Sequence, residues 1–432
     1  MPDTRSLRTH RDFRLFFFGQ FISLLGSWMQ GVAQAWLVYR LTKSELTLGA
    51  VAFAANLPVL LLAPVAGWVA DRYPRRTVVI ATHLLSMAQA IVLASLTLTG
   101  AIRVEHVFML AVVFGISNAF EMPARHTLVG DLVGREDLAN AIALNSSMIN
   151  VTRIIGPAVA GWVVLTLGEG LCFGINALSF VAALVTLVML RVRPVAAPPG
   201  KRDGPLRQMI DGFNWIARKR PIAGLLVLLT AVSFMAMPYM VLLPVFAKEL
   251  GSMKDALWQP GGEVALGLLS SMAGIGALVG ALALSSRRGV EGLGGLVVRS
   301  ALIAGVSLIV FALSHSLLLS MVLILPVSFA LMRHMAGTNT LLQSMVPDSM
   351  RGRVMSFYSM MLVGMSPFGS LAAGALAERI GAHATVMFFG ATGALAAAIA
   401  LLALPRVRGE ARQLLQATGA IATLPPAPIA PS

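Results

Sequence analysis

The stretch GWVADRYPRR at residues 67–76 decides the fold, because a related stretch follows it at a fixed distance. GALALSSRRG at residues 280–289 begins 213 positions later, so that a glycine falls on a glycine and the two basic pairs lie within one position of each other. The same offset places Gly161 on Gly374. Two halves built alike, with a binding site between them, are typical of membrane transporters. The repeat therefore predicts a duplicated membrane bundle.

The composition is that of a chain surrounded by lipid. Hydrophobic residues make up 57% of it, charged residues only 12%, and the mean hydropathy is +0.80. A soluble domain has about 25% charged residues, and a helix needs about 20 apolar residues to cross a bilayer. The period-two alternation of a membrane barrel is missing. We therefore expect an all-α membrane protein with twelve transmembrane helices in two pseudo-symmetric six-helix bundles. The predicted spans are 14–38, 47–70, 77–99, 104–124, 141–166, 169–190, 222–247, 264–286, 293–313, 317–338, 353–377 and 382–404.

Positive charge is distributed unevenly among the loops. The net charge is +14, from 33 Lys and Arg against 19 Asp and Glu. If the N-terminus is cytoplasmic, most Lys and Arg fall in cytoplasmic loops, where membrane proteins are enriched in them. The pattern predicts a multi-pass protein with both termini in the cytoplasm, and it explains the basic charge without a nucleic-acid partner. The expected partners are the lipid bilayer and a small-molecule substrate, and we expect a monomer.

The spans divide the chain into four segments. Residues 1–190 are predicted to form an N-terminal six-helix bundle, and residues 221–404 a C-terminal one. Residues 191–220 form a cytoplasmic linker, in which apolar side chains at helical spacing predict a short amphipathic helix. This helix either lies on the inner membrane surface or packs under the second half. Residues 405–432 are predicted to be a disordered cytoplasmic tail, because Ala and Pro dominate their end.

Two titratable residues inside spans are candidates for proton coupling. Glu121 is the only acid well inside a span, and the repeat offset matches it to His334. A partly buried carboxyl group can exchange protons near neutral pH, and ionisable groups in a membrane are functional candidates. Alternatively, Glu121 is a structural partner of Arg125, four residues further along the helix.

Arginines and amides inside the spans are candidates for a substrate site. Arg153 lies near the middle of the fifth span and stays charged, so it needs a cavity or a partner. Either Arg153 binds an anionic substrate, or it pairs with another group of the protein. Arg333 is a similar case. Amide side chains are expected to line a polar cavity or to form hydrogen bonds between helices. These amides are Gln30, Gln34, Asn118 and Asn150.

Helix breakers and small residues recur in the fifth and eleventh spans. They are Gly156, Pro157 and Gly161, and Gly364 and Pro367. Small residues let membrane helices approach closely. The alternative is that these helices bend or slide between two conformations, and both can hold together.

Signals for catalysis are absent from the sequence. The single cysteine, Cys172, excludes an intrachain disulfide and a multi-thiolate metal site. There is no phosphate-binding loop and no His-Glu-x-x-His, and the seven His have no metal-ligand spacing. We therefore expect no enzyme activity, no metal and no cofactor, with a proton gradient as the energy source.

The loop at residues 67–76 resembles the G-x-x-x-D-R-x-x-R-R motif of the major facilitator superfamily. Gly67, Asp71, Arg72, Arg75 and Arg76 occupy its positions. In that family the motif is thought to latch the two halves on the cytoplasmic side. The second copy has Leu284 in place of the aspartate, so any latch is asymmetric.

Other stretches narrow the resemblance. Residues 150–161 resemble the Gly-Pro motif of the superfamily's antiporters, although Ala160 departs from it. RDFRL at 11–15, PAR at 123–125 and LANA at 138–141 resemble the branch that holds enterobactin exporters and macrolide efflux pumps. The resemblance covers about residues 8–405.

This resemblance implies a proton-antiport exporter of a siderophore or drug in a bacterial inner membrane. It would work by alternating access, with Glu121 and Arg153 facing a crevice between the halves. The alternatives are an importer or a lipid-moving transporter of the same fold, and a membrane receptor or scaffold that transports nothing.

Overall fold

The structure is a computed structural model that describes residues 5–134, 136–191, 205–236, 238–252, 260–287 and 289–421, and these are almost entirely helical. The helices are α1 (Arg5–Thr9), α2 (Arg11–Thr42), α3 (Glu45–Arg72), α4 (Arg75–Leu98), α5 (Val104–Val133), α6 (Leu138–Met189), α7 (Pro205–Ala217), α8 (Arg220–Met235), α9 (Tyr239–Gly251), α10 (Gly262–Ser285), α11 (Leu293–Ala312), α12 (Leu317–Met345), α13 (Asp348–Ile380) and α14 (Ala382–Ala417).

Twelve of these segments can cross a membrane. Eleven helical stretches are long and apolar enough, and α8 with α9 counts as one of them. α6 contributes two spans, because Gly168 has φ 81° and ψ 168° and turns the chain back on itself. Glycine adopts this backbone conformation easily because it has no Cβ. The prediction of twelve transmembrane helices is confirmed.

The spans form two bundles. α2 to α6 make the N-terminal half, with a core around Phe13, Phe16 and Leu128. α8 to α14 make the C-terminal half, with a core around Leu229 and Leu342. The halves meet along a seam, where α3 packs against α13 and the first part of α6 packs against α10.

Glycines allow the two helix pairs of the seam to approach closely. A Cβ added to Gly374 would collide with the carbonyl oxygen of Glu45, and one added to Gly161 would lie 2.8 Å from the carbonyl oxygen of Glu263. Gly161 and Gly374 are partners in the sequence repeat, so the duplication places a close crossing on each side of the seam. The close-packing interpretation of Gly161 therefore agrees with the structure.

One end of the seam is held together. The contacts that cross it include the Phe53 and Phe368 rings, 5.5 Å apart, and the bond from Ser271 Oγ to the Ile154 carbonyl oxygen, 2.7 Å. These contacts lie toward the end that carries the turn at Ser44, which we call the closed end. The opposite end, which carries the turn at Tyr73, we call the open end. None of the seam contacts named above lies toward the open end.

The linker and the tail differ in part from the expectation. Ile216 of α7 is buried in the C-terminal core, and the Phe213 ring centroid lies 6.4 Å from that of Phe357 in α13. The linker helix thus packs under the second half, although Phe213 is also 61% exposed. Residues 192–204 lie outside the described residues.

α14 does not end at residue 404 but continues to Ala417. Leu415 is buried, and Thr418 Oγ1 donates a hydrogen bond of 2.6 Å to the Ser344 carbonyl oxygen. The prediction of disorder is therefore wrong for residues 405–417, because this stretch covers apolar surface on the open end of the C-terminal half. Residues 422–432 lie outside the described residues.

Candidate functional site

Arg153 lies at the seam, about halfway along the first span of α6. Its guanidinium Cζ is 5.9 Å from the centroid of the Trp28 ring in α2. Its own carbonyl oxygen lies against Gly274 of α10, in the other half. Its charge also acts on Tyr239 of α9, whose hydroxyl oxygen is 3.0 Å from Ser328 Oγ. Arg153 therefore sits where the two halves meet.

No carboxylate within the described ranges forms an ion pair with Arg153. An unpaired arginine at this depth costs several kcal/mol unless it faces water or an anion. Its side chain is partly exposed, and its guanidinium lies beside the face of the Trp28 ring. Arg153 therefore presents a positive charge at the seam that no described carboxylate neutralises.

Arg333 presents a second guanidinium from the C-terminal half. Its Cζ lies 5.0 Å from the centroid of the Phe329 ring, one helical turn earlier in α12. Its Nε atom is buried and has no hydrogen-bond partner among the described atoms. Each half thus has, in the middle part of a span, an arginine that lies beside an aromatic ring.

Glu121 forms its contacts inside the N-terminal half. Its Oε1 is 3.6 Å from Arg125 Nε, and both side chains are mostly buried. The charges of both residues act on His83 of α4, whose Nε2 is 3.1 Å from Gln20 Nε2. The structural alternative for Glu121, pairing with Arg125, matches this geometry. The described contacts of Glu121 belong to α4 and α5, and none of them joins it to Arg153.

His334 is enclosed in the C-terminal half. It is 0% exposed, and its Nδ1 lies 3.1 Å from the Val297 carbonyl oxygen in α11. The repeat explains this placement, because Glu121 and His334 occupy equivalent positions and face the equivalent helices α4 and α11. Glu121 and His334 thus contact corresponding helices of the two halves, and His334 is fully enclosed.

The predicted amide residues divide into two groups. Gln30 is 2% exposed, donates a hydrogen bond to Gln89 Oε1 (3.0 Å) and accepts one from Asn176 Nδ2 (2.7 Å). Gln30 is therefore not a cavity residue, because its amide links α2, α4 and the second span of α6. Gln34, Asn118 and Asn150 are partly exposed, and Asn150 Nδ2 donates to the Ser146 carbonyl oxygen at 2.9 Å.

The motif at residues 67–76 contacts its own half. Arg75 forms an ion pair with Asp131 of α5. Arg76 Nε and Nη2 donate to the carbonyl oxygens of Leu187 and Val188, both at 2.7 Å, at the end of α6. Lone carbonyl groups at a helix C-terminus favour such a cation. The side chain of Asp71 lies outside the described residues.

Two further positions of the motif are described. Arg72 Cζ lies 5.5 Å from the Trp68 ring, and a Cβ on Gly67 would meet nothing within 4 Å. At the open end, the basic residues of the motif thus contact groups of the N-terminal half.

The predicted hinge positions lie at helix crossings. A Cβ on Gly156 would lie 2.6 Å from Trp28 Cβ, and one on Gly364 would lie 2.6 Å from Leu60 Cδ1, across the seam. Pro157 and Pro367 lie inside α6 and α13. Close helix packing, the first of the two alternatives for these positions, agrees with these contacts.

Sequence reasoning missed the residues that hold the closed end. Glu378 of α13 accepts hydrogen bonds from Ser44 Oγ (2.8 Å) and from the backbone N–H of Leu46 (3.0 Å). Lys248 Nζ of α9 lies 5.3 Å from the Tyr39 ring of α2. In the sequence these residues only lie at the ends of predicted spans. Charged residues are common there, so nothing marked them as contacts between the halves.

Comparisons with known proteins agree on the class. The staphyloferrin A transporter of Staphylococcus aureus is 27% identical over 381 residues, covering 87% of this chain and 92% of that protein. The multidrug efflux pump Tap of Mycolicibacterium fortuitum is 26% identical over 385 residues, covering 87% and 91%. The enterobactin exporter EntS of Escherichia coli O1:K1 is 25% identical over 370 residues, covering 86% of each.

Solved structures show the same fold. A bacterial homologue of the human lysosomal transporter Spinster, in an inward-facing and unoccupied conformation, superposes with a TM-score of 0.69 at 15% identity, covering 93% of this chain and 98% of that one. The model of the family described as transmembrane secretion effector matches residues 6–421. The chain is a multi-pass membrane protein of the transmembrane secretion effector family, within the major facilitator superfamily of transporters.

Proposed function

We propose that the protein exports an anionic, amphipathic small molecule by alternating access, in exchange for protons. The observation that supports this most is Arg153, an unpaired guanidinium at mid-depth on the seam, beside the aromatic face of Trp28. Rocking of the two halves would expose this position to each side of the membrane in turn.

The chemistry of the two arginines favours a siderophore-like anion over a cationic drug. A guanidinium binds carboxylate groups through paired hydrogen bonds. Arg153 lies beside Trp28, and Arg333 lies beside Phe329, so each positive charge has an apolar surface next to it. A cationic molecule would be repelled at such a site. A relative that transports staphyloferrin A and another that exports enterobactin support the same class of cargo.

Proton coupling is assigned to Glu121 and its neighbours. Glu121, Arg125 and His83 place two titratable groups beside a fixed cation inside the N-terminal half. A proton taken up by Glu121 would weaken its attraction to Arg125 and change the packing of α5 against α4. His334 is the weaker candidate, because it is fully enclosed and bonded to a backbone carbonyl.

The open end is assigned to the cytoplasm. It carries Arg72, Arg75 and Arg76, and positive charge concentrates on the cytoplasmic side of membrane proteins. Both termini then lie in the cytoplasm of a bacterial cell with the protein in the inner membrane, and the open end would load cargo from inside.

The test is transport in proteoliposomes with an imposed pH gradient. A catecholate siderophore, a carboxylate siderophore and a cationic dye are offered to the wild type, Arg153→Gln and Arg299→Gln. Arg299 is the matched control, because it also lies in a span but is exposed and donates to its own helix at Gly295.

We expect gradient-driven transport of a siderophore, a loss of about ten-fold or more in Arg153→Gln, and little change in Arg299→Gln. Transport of the cationic dye alone would contradict the anionic cargo. Flux of the siderophore without any dependence on the gradient would favour a uniporter or an importer. A purified protein that moves none of the probes and keeps one conformation would favour a receptor or scaffold.

A further inference from the structure

A cavity of about 470 Å³ lies inside the C-terminal half, at its open end. Its walls come from α8, α11, α12 and α14, and none of its lining residues belongs to the N-terminal half. It is therefore separate from the crevice and from Arg153. Its depth reaches Leu228, Val298 and Ala400, well inside the spans, while Arg220, Arg408 and Arg412 surround its mouth.

Glycines leave the walls of this cavity open. Gly224 faces it from α8, and a Cβ there would meet nothing within 4 Å. Gly294 and Gly295 face it from α11, and Cβ atoms on them would be at ordinary contact distances of 3.6 to 3.9 Å. Helix packing therefore does not require glycine at these positions, and the missing side chains keep the space free.

Three arginines line the mouth of the cavity, and no described acid forms an ion pair with them. Arg408 and Arg412 are four residues apart on one face of α14, so their charges repel each other. Within the described ranges neither they nor Arg220 forms an ion pair, and the single acid among the lining residues, Glu291, cannot balance all three. An anion at the mouth would remove this repulsion.

The shape and polarity of the cavity indicate which kind of anion it can bind. The arginines of the mouth lie at or beyond the ends of the predicted spans, on the side where basic residues concentrate, and most of the other lining residues are apolar. Basic pockets between helices on this side of a membrane suit acidic lipid head groups. A free phosphate would fill the mouth but leave the apolar depth empty. We propose that this cavity binds an anionic phospholipid, with its phosphate among Arg220, Arg408 and Arg412 and an acyl chain between α8, α11 and α14.

The chain's own C-terminal segment is the rival occupant. Ile421 lines the cavity, and the apolar residues 422–432 follow it in the sequence. That segment contains no Asp or Glu, so its side chains would not neutralise the three arginines. Charge complementarity therefore favours the lipid.

The test is native mass spectrometry of the delipidated full chain, titrated with phosphatidylglycerol or with phosphatidylcholine of the same acyl chains. The double variant Arg408→Gln with Arg412→Gln removes charge at the mouth, and Gly224→Leu fills the depth. Arg406→Gln is the matched control, because Arg406 is exposed on the same helix but does not line the cavity.

We expect phosphatidylglycerol to bind at least about five-fold more tightly than phosphatidylcholine, since each surface arginine adds about that factor. The double variant should lose the preference for phosphatidylglycerol, because it removes charge at the mouth. Gly224→Leu should lose lipid binding, because it fills the cavity. Arg406→Gln should keep both the preference and the binding. Equal binding of the two lipids, or an equal loss in Arg406→Gln, overturns the proposal.

Two further results also overturn it. If inorganic phosphate displaces phosphatidylglycerol completely at millimolar concentration, the site binds a free anion. If phosphatidylglycerol binds only after residues 422–432 are removed, the chain's own end occupies the cavity.

Discussion

The carboxylate of Glu378 caps the first turn of α3 from the opposite half of the protein. Its Oε2 accepts one hydrogen bond from Ser44 Oγ and one from the backbone N–H of Leu46. Ser44 Oγ in turn accepts from the N–H of Thr47, as an N-cap does. A carboxylate is favoured at a helix N-terminus, where the peptide dipoles leave positive charge. This contact joins the halves at the closed end and has to break when that end opens.

Glu378→Gln is therefore expected to shift the protein toward conformations in which the closed end is open. The contact is solvent-exposed, so the expected change is about 1 kcal/mol, or a several-fold change in population. Spin labels at Leu167 and Leu313, both exposed near this end, would report longer distances. Glu105→Gln is the control, because Glu105 is exposed in the first turn of α5, and an equal shift there would contradict the prediction.

Gly374→Ala is expected to disrupt the same end by a steric route. Its Cβ would collide with the Glu45 carbonyl oxygen, which is backbone and cannot rotate away. Such overpacking costs about 1–3 kcal/mol. Gly174→Ala is the matched control, because its Cβ would meet nothing within 4 Å in α6, and alanine favours a helix. Thermal unfolding in detergent should show a lower midpoint for the first variant only, and similar midpoints for both would argue against the close crossing.

Glu121→Gln is expected to stop pH-driven export while leaving gradient-independent exchange of cargo. The amide keeps the shape of the side chain but cannot carry the exchanged proton. We expect a loss of about ten-fold or more in gradient-driven flux, measured in proteoliposomes against Glu136→Gln, an exposed residue beyond the end of α5. If exchange falls as much as driven flux, Glu121 acts as a structural partner of Arg125 instead.

Gln30→Leu is expected to lower stability more than Gln34→Leu does. Loss of the Gln30 amide leaves Gln89 and Asn176 buried without this partner, at a cost of about 1–3 kcal/mol. Gln34 lies on the next turn of the same helix and is partly exposed, so its replacement should cost little. Unfolding midpoints distinguish the two. A larger loss of stability in Gln34→Leu would contradict the prediction, because the buried amide network would then contribute less to folding than its hydrogen bonds indicate.

The sequence by itself determined the class of protein, the number of spans and the duplication. Long apolar segments are local properties of the chain, and the offset that joins Gly161 to Gly374 can be read without coordinates. The offset also pairs Glu121 with His334, and these residues contact the corresponding helices α4 and α11. It even marked the close helix crossings, because a glycine inside a span most often allows a neighbouring helix to approach closely.

Only the tertiary structure decided which way each polar side chain faces. Gln30 turned out to be buried between helices, Glu121 to face α4, and Arg153 to lie on the seam. In a soluble helix an apolar stripe marks the buried face, but in a membrane the lipid side and the protein interior are both apolar. The rotation of each helix about its axis is therefore absent from the hydrophobic pattern, and it is set only when the twelve spans pack against one another.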